Sequence, residues 1–560
     1  MEEHIKSLKN KSTSDTKVIA LKAIINCKNF TEIFATILNT SLKEGVVPTQ
    51  LKQAKIAPIH KSGNKNDVSN YRPISLLPTF SKIFEKALHG RITGFLQKNN
   101  SLYNCQFGFR KRHSSEHALL TAQNSILQSL DKKHIAMLLL IDFSKAFDMV
   151  DHQILLHKLA HYGIRGVALK WLTSYLHNRQ QRVHVNNAQS DCQNLIHGIP
   201  QGSILGPLLF IIYINDMPNV QKLAKFILYA DDANIIITGT NAHEIITKYN
   251  ELSDHLSNWV ASNGLMLNVR KTNYMIFSNI NIGQLSNLKP TINNIPIERK
   301  KTAKFLGVFV DEKLSWSHHI NTICTKISKN TGILYKMKGI LPQKAMLTLF
   351  HSFIQSHLNY CSLIWGLGSK NSIKKLFICQ KKAIRTLIPG FVNYYYNTET
   401  EQQPAHTKET FTKHNIPTVY SQILKNVMLF MYKIIHFPQL LPHAIISLFP
   451  QFGTDSTVEN DTSHEISQRL ATQVNSLFVK GPRLHNEITI EATEKHKQLH
   501  TNTLNSYKNS IKSYLIDIQS EGDSVVWTTE NFRLCTQKAT RKSPRTNQID
   551  GDPEIDTITI

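Results

Sequence analysis

The spacing of apolar side chains along this chain changes character several times, and each change marks a predicted element. Over 17–42 apolar residues recur at three and four positions, as in Ile24, Phe30, Ile33, Phe34 and Ile37, which predicts a helix that Gly45 and Pro48 then end. A long stretch to about Asp311 mixes two periods: unbroken apolar runs at 136–141 and 226–228 predict strands, while 118–130 and 154–159 keep helical spacing. That mixture predicts an α+β unit. After Trp316 only the helical period remains, with Ile320, Ile323, Ile327 and Leu334 on one face and Met346, Leu349, Phe353 and Leu358 on the next, so two packed helices are expected. The Thr/Glu/Gln-rich stretch 393–408, with Pro404, reads as a linker. A second helical block is expected over 418–450 and a helix over 504–518. The tail from about Glu521 carries a basic run (Lys538, Arg541, Lys542, Arg545) and then acids (Asp550, Asp552, Glu554, Asp556), and is expected to be disordered.

Length and charge narrow the classes. At 560 residues the chain exceeds one ordinary core, and about 150 residues per domain gives roughly two to four units. Lys plus Arg number 65 against 40 for Asp plus Glu, a net charge of +25. A surface that basic attracts polyanions, because each neutralised phosphate releases condensed counterions. The 7 cysteines are scattered, odd in number and without a C-x-x-C pair, as expected of reduced thiols inside a cell. The first residues lack an apolar signal core, and the longest apolar run, around 208–214, is far short of the about 18 residues a membrane span needs. The expectation is an intracellular protein, in nucleus or cytoplasm, with no membrane partner.

Two segments place acids where chemistry can use them. In IAMLLLIDFSKAFD, Asp142 falls where an apolar strand stops; alone, it would also serve as a helix N-cap. In FILYADDANIIIT two apolar runs meet at Tyr229-Ala230-Asp231-Asp232, a hairpin with adjacent carboxylates at its tip. Exposed turns often carry Asp, but the flanking runs should bury this hairpin, and buried adjacent carboxylates need a counter-charge. Two divalent cations about 3.5 to 4 Å apart, held by hard oxygen ligands, supply one and also serve phosphoryl transfer.

These residues carry a resemblance. LIDFSKAFD, HGIPQGSILGP and YADD, in this order, resemble the reverse transcriptases of non-LTR retrotransposons, long interspersed elements of the jockey type. The likeness extends upstream through AKIAPIHKSGNKNDVSNYRPISLLPTFSKIFEKAL and QFGFRKRHSSEHA and downstream through GLMLNVRKTNYM and FLGVFVDEKLSW, and more weakly over NYCSLIWG, QKKAIRTLI and VKGPRLHNEI.

The resemblance implies a right-hand polymerase fold: a helical lead-in over 1–50, fingers and an antiparallel palm sheet over 51–316, a helical thumb over 317–392, a linker over 393–410, a C-terminal helical region over 411–520 and a tail over 521–560. It implies an RNA-directed DNA polymerase using Mg²⁺ (or Mn²⁺), an RNA template, a DNA primer and deoxynucleoside triphosphates. Asp142 and Asp231 would be the main metal ligands, Asp232 and the Phe143 carbonyl further ones, and Lys271 the proton donor to pyrophosphate. Lys61 and Arg72 would hold the triphosphate, Arg110 would contact template or nucleotide, and Phe147 would block a ribose 2′-OH. Gln201 would sit beside the incoming nucleotide, with Gly202 shaping the backbone there. Phe305-Leu306-Gly307 matches the hairpin that grips the primer end. The chain shows neither an endonuclease region nor a Cys-Cys-His-Cys knuckle, so a pre-existing 3′ end or a separate nuclease is expected to supply the primer end. Three rival readings remain: a catalytically silent RNA-binding derivative, another reverse-transcriptase branch such as an intron-encoded or telomere-extending enzyme, and a zinc site at His113-Ser114-Ser115-Glu116-His117, which fits H-x-x-E-H.

Overall fold

The computed structural model describes residues 30–449, apart from 187, 281, 283, 284, 286, 287 and 389–406, together with 477, 485 and 504–521. Most of the expected linker and all of the tail beyond 521 lie outside the described residues. Of the expected N-terminal helix the described part is α1, Phe30–Glu44.

In chain order, β1 (Gln53–His60) and β2 (Tyr71–Leu76) precede α2 (Thr79–Lys98) and α3 (Ser115–Asp131). Strand β3 (Ile135–Ile141) leads to α4 (His152–His161) and α5 (Gly166–Leu176), then to β4 (Arg179–Val185), β5 (Ala188–Gln189), β6 (Gln193–Leu195) and α6 (Leu205–Tyr213). The hairpin β7 (Lys225–Tyr229) and β8 (Asp232–Gly239) is followed by α7 (Ala242–Ser262) and β9 (Asn273–Phe277). Short strands β10 (Thr291–Ile292), β11 (Ile295–Pro296) and β12 (Glu298–Arg299) lead to the hairpin β13 (Thr302–Phe305) and β14 (Val308–Asp311).

Two sheets organise this half. One is a 5-stranded sheet in the order β12-β9-β3-β8-β7, in which β3 lies antiparallel to both neighbours. The other pairs β1 with β2 antiparallel and with β4 parallel. Every residue of β3 is buried. Ala136, Leu138 and Leu140 face one apolar core, which they share with α3; Ile135, Met137, Leu139 and Ile141 face the other, which they share with α6 and α7. An unbroken apolar run is what a strand covered on both faces requires.

Helix α6 is apolar all round and buried except at Pro207, so the N–H groups of its first turn need partners inside the protein. Glu85 of α2 supplies them, Oε2 accepting from Ile204 at 2.5 Å and from Leu205 at 3.2 Å. Burial pushes that carboxyl up, and these N–H bonds and the charge of Arg179 pull it part of the way back.

Beyond Trp316 the chain is helical, as the periodicity predicts. Helices α8 (Ser317–Met337) and α9 (Gln343–Phe350) are followed by a π-turn at His351–Gln355, then α10 (Ser356–Asn359), α11 (Ser362–Trp365) and α12 (Lys370–Arg385). The buried stripe of the second element is Met346, Phe350, Ile354 and Leu358, not the expected set with Leu349 and Phe353, which are half-buried. A four-residue spacing drifts by about 40° per step on an α-helix, and the wider π-turn in the middle takes up that drift. The core of this block is continuous with the core on the α3 side of the sheet, so no break in packing occurs at Trp316. Helices α13 (Lys408–Lys413), α14 (Val419–His436), α15 (His443–Ile446) and α16 (Leu504–Glu521) complete the described chain. Among the described residues no helix is long and apolar enough to cross a membrane.

The H-x-x-E-H segment does not form a metal site among the described residues. Helix α3 starts at Ser115 with Ser114 as its N-cap, Oγ accepting from His117 N–H at 3.2 Å, so His113 lies outside the helix and cannot share its face. Burial holds His117 down to about 4, a neutral ring packed near Phe430. Glu116 reaches across to α11, Oε1 accepting from Leu363 N–H at 3.2 Å, and burial pushes its carboxyl up to about 7. A carboxyl with a raised folded-state pKa stabilises the fold when protonated, and that contribution is lost as pH climbs from about 4.5 through 7. Thermal unfolding of Glu116→Gln should therefore show a gain over wild type of about 1–2 kcal/mol at pH 8 that shrinks toward zero by pH 5.

Candidate active site

Strand β3 ends at Ile141, and Asp142 is the next residue. Ile141 pairs with Ala233 of β8, so one step further along the same antiparallel ladder Asp142 faces Asp232. Tyr229 pairs with Asp232 across the turn residues Ala230 and Asp231. All three carboxylates therefore gather at one end of the central strand pair. Their charges act on one another: burial, then Asp231, then Asp142 push the Asp232 carboxyl up to about 6, and the cation of Lys61 opposes them.

The turn that presents Asp231 is not self-supporting. Ala230 has φ +56°, a left-handed conformation that a residue with a Cβ rarely adopts. Gln106, 1% exposed, holds it: Oε1 accepts from Ala230 N–H at 3.1 Å and from Gly108 N–H at 2.8 Å. The backbone beside Gln106 runs along β7, with Phe107 N–H donating to the Leu228 carbonyl at 2.7 Å and Leu228 N–H to the Cys105 carbonyl at 2.8 Å. A Cβ on Gly108 would lie 2.3 Å from the Ala230 nitrogen, so only glycine permits this approach.

Asp142 is fixed from its other side by the segment before β9. Asn268 N–H donates to the Asp142 carbonyl and Ser144 N–H to the Met266 carbonyl, both at 2.8 Å, and Asp142 N–H donates to Thr272 Oγ1 at 3.3 Å. These bonds flank the Phe143–Leu267 bridge. In such a pair the bridged residue points its own carbonyl away from the partner strand, which leaves the Phe143 oxygen outside this ladder.

The remaining expected residues divide into three groups. Phe147 is half-buried and stacks on Phe210 at 4.6 Å between ring centroids, which fixes its ring. Gln201 donates through Nε2 to Asp148 Oδ1 at 2.8 Å, and its carbonyl accepts from Ser75 N–H at 2.7 Å. At Gly202, φ +120°, a Cβ would meet the Ser75 carbonyl oxygen at 2.7 Å, so this loop is seated on β2 by close backbone approach. Arg110 is tied inward, Nη1 donating to the carbonyls of Tyr103 at 2.7 Å and Gln106 at 3.2 Å. Arg72 on β2 and Lys271 before β9 are exposed and make no hydrogen bond or ion pair with the aspartates.

Sequence reasoning on single residues did not single out Gln106, Gly108 or Asp148. The first two lie in QFGFR, where a Gln followed by an apolar residue and a Gly beside a buried edge was the available signal; Asp148 closes LIDFSKAFD. Asp231 and Asp232 are exposed and Asp142 is half-buried, so the hairpin tip is not buried as its apolar flanks predict; three carboxylates of like charge are nevertheless donors of the type hard divalent cations take. Among the described residues no group of three or more His, Cys, Asp or Glu side chains is placed to hold a metal ion. Mg²⁺ sites commonly combine one or two carboxylates with water and substrate phosphates instead.

Comparison with known proteins adds to this geometry. Residues 59–310 match the family described as reverse transcriptase (RNA-dependent DNA polymerase). The chain is 31% identical over 374 residues to the probable RNA-directed DNA polymerase from transposon X-element of Drosophila melanogaster, covering 65% of this chain and 40% of that protein. It is 28% identical over 368 residues to the RNA-directed DNA polymerase from mobile element jockey of the same fly, covering 64% and 40%. The chain thus spans about two-fifths of the length of these relatives. Among solved structures, telomerase from Candida albicans in complex with a TWJ fragment of telomeric RNA aligns at 14% identity with a TM-score of 0.37, covering 66% of this chain and 70% of that one. Over residues 59–310 the chain is thus similar to the reverse transcriptase family, and the relatives it resembles are RNA-directed DNA polymerases of the X-element and jockey mobile elements.

Proposed function

We propose that this chain copies an RNA template into DNA, adding deoxynucleotides to a primer 3′-OH. The observation that carries the reading is the register that sets Asp142 against the Asp231–Asp232 hairpin, with Asp232 pushed up to about 6 and Lys61 close enough to act on it. In this reading the sheet around β3 is the palm, β1, β2 and β4 belong to the fingers, and the helices from Ser317 to Arg385 form the thumb.

The chain's own residues would divide the work by position. Asp142, Asp231, Asp232 and the Phe143 carbonyl would hold Mg²⁺ or Mn²⁺, which when bound would activate the attacking 3′-OH and stabilise the leaving pyrophosphate. Lys61, next to Asp232, and Arg72 would neutralise the triphosphate. Gln201 and Gly202, fixed against Asp148 and Ser75, would form the floor under the incoming nucleotide, and Phe147 would stand against its sugar. Lys271 would donate a proton to pyrophosphate and Arg110 would brace the template side.

Three outcomes test this reading. Primer extension on an RNA template by Asp231→Asn plus Asp232→Asn should fall by about 100-fold or more against wild type, equivalent to ~2.7 kcal/mol of barrier; equal extension removes these carboxylates from the mechanism, and RNA binding without extension by wild type favours the silent derivative. Phe147→Ala should raise incorporation of ribonucleotides relative to deoxynucleotides by about 10-fold or more, measured as a ratio of kcat/KM values, since the 2′-OH would no longer meet a fixed ring. Asp232→Asn should unfold at higher temperature than wild type in metal-free buffer at pH 8 and alike at pH 4. The sign follows from a raised folded-state pKa: stability from the protonated carboxyl is lost as pH rises from about 3.8 through 6. Added Mg²⁺ should then stabilise wild type more than the variant.

A further inference from the structure

The joint between the sheet and the helices that follow it holds a contact that the metal site does not use. Hairpin β13–β14 closes at Leu306 and Gly307, with Phe305 paired to Val308. Leu306 has φ +44° and Gly307 φ +84°, the double left-handed geometry of a type I′ turn. That turn favours Asn-Gly; a leucine at its first position is disfavoured, and such a conformation persists only where neighbours impose it.

Tyr360 imposes it. Its hydroxyl donates to the Leu306 carbonyl at 2.8 Å, and its ring covers Gly307, where a Cβ would meet Cε1 at 3.2 Å. The same hydroxyl lies 3.2 Å from Ser115 Oγ at the start of α3. Tyr229, at the catalytic hairpin, is near enough to act on the charge of this phenol. On the far side, the Tyr360 carbonyl accepts from Trp365 Nε1 at 3.0 Å, Leu363 N–H is held by Glu116, and Cys361 has φ +50°. Backbone on both sides of the Tyr360 contact thus adopts conformations that local preference disfavours. Tyr360 remains 44% exposed, so burial of apolar area does not account for its placement.

We infer that Tyr360 is a positioning residue for the primer terminus, its hydroxyl locking the Leu306–Gly307 turn in register with the Tyr229–Asp232 hairpin. This inference rests on the polymerase reading. A turn fixed in this way sets where the primer 3′-OH stands relative to the α-phosphate, and reaction there tolerates only small misplacement of atoms about 3–3.5 Å apart. Lys61 and Arg72 lie on or beside the other sheet, so nucleotide affinity should not depend on the lock.

The test is single-turnover incorporation by the full chain on an RNA template with a DNA primer, across deoxynucleotide concentrations. Tyr360→Phe should lower the maximal rate by about 10-fold, while the half-saturating nucleotide concentration stays within about two-fold and the unfolding temperature barely moves. Adding Leu306→Asn to Tyr360→Phe should restore most of the rate, because Asn accepts the left-handed conformation unaided. A Tyr360→Phe rate equal to wild type, a rate loss that Leu306→Asn does not repair, or a change confined to nucleotide affinity would each overturn the lock and leave the polymerase reading intact. A wild-type chain that extends no primer would overturn the polymerase reading and this inference with it.

Discussion

Like charges brought together in a partly dry site repel, and the carboxylates at the end of β3 are held together against that repulsion. Asp232 registers the cost most directly, since burial first and its two acidic neighbours second keep its carboxyl near 6. What opposes the repulsion is the register of the central strands. The two faces of β3 feed two separate apolar cores, so a slip of one residue against β8 would turn every side chain toward the wrong core. Apolar packing along the whole strand therefore fixes the position of an acid at its tip.

Around that register, the loops are seated by backbone contacts as much as by side chains. Gln106 and Gly108 clasp the strained Ala230 turn, and Asp148 and Ser75 seat the Gln201–Gly202 loop. Burial of Asp148 raises its pKa, and the bond from Gln201 lowers it again in part. The polar groups nearest the aspartates are thus mostly committed to one another, while Lys61 stands exposed beside them as a cation.

The helical block after Trp316 is joined to this arrangement by a shared core and by a polar seam at α3, through Ser115, Glu116, Tyr360 and Leu363. Between Lys313 and Ile388 the sequence has no Asp or Glu, so the block presents only positive formal charge. A block charged in this way attracts polyanions.

The sequence alone determined the elements whose signal is local. The unbroken run before Asp142, the hairpin at Tyr229–Asp232 and the helical period after Trp316 each follow from neighbours a few positions apart, and each appears as read. The hydrophobic stripe around Leu349 and Phe353 was misread because a π-turn, set by packing, shifts the phase of the helix. Only the tertiary structure decided which acids face each other, that Gln106 holds the Ala230 turn, that Arg110 is tied inward, and that Glu116 and Tyr360 join α3 to the later helices. Apart from the local bonds of Arg110, these contacts link residues from about ninety to more than two hundred positions apart, and periodicity carries no record of them, because their energy depends on which surfaces the fold has already brought together.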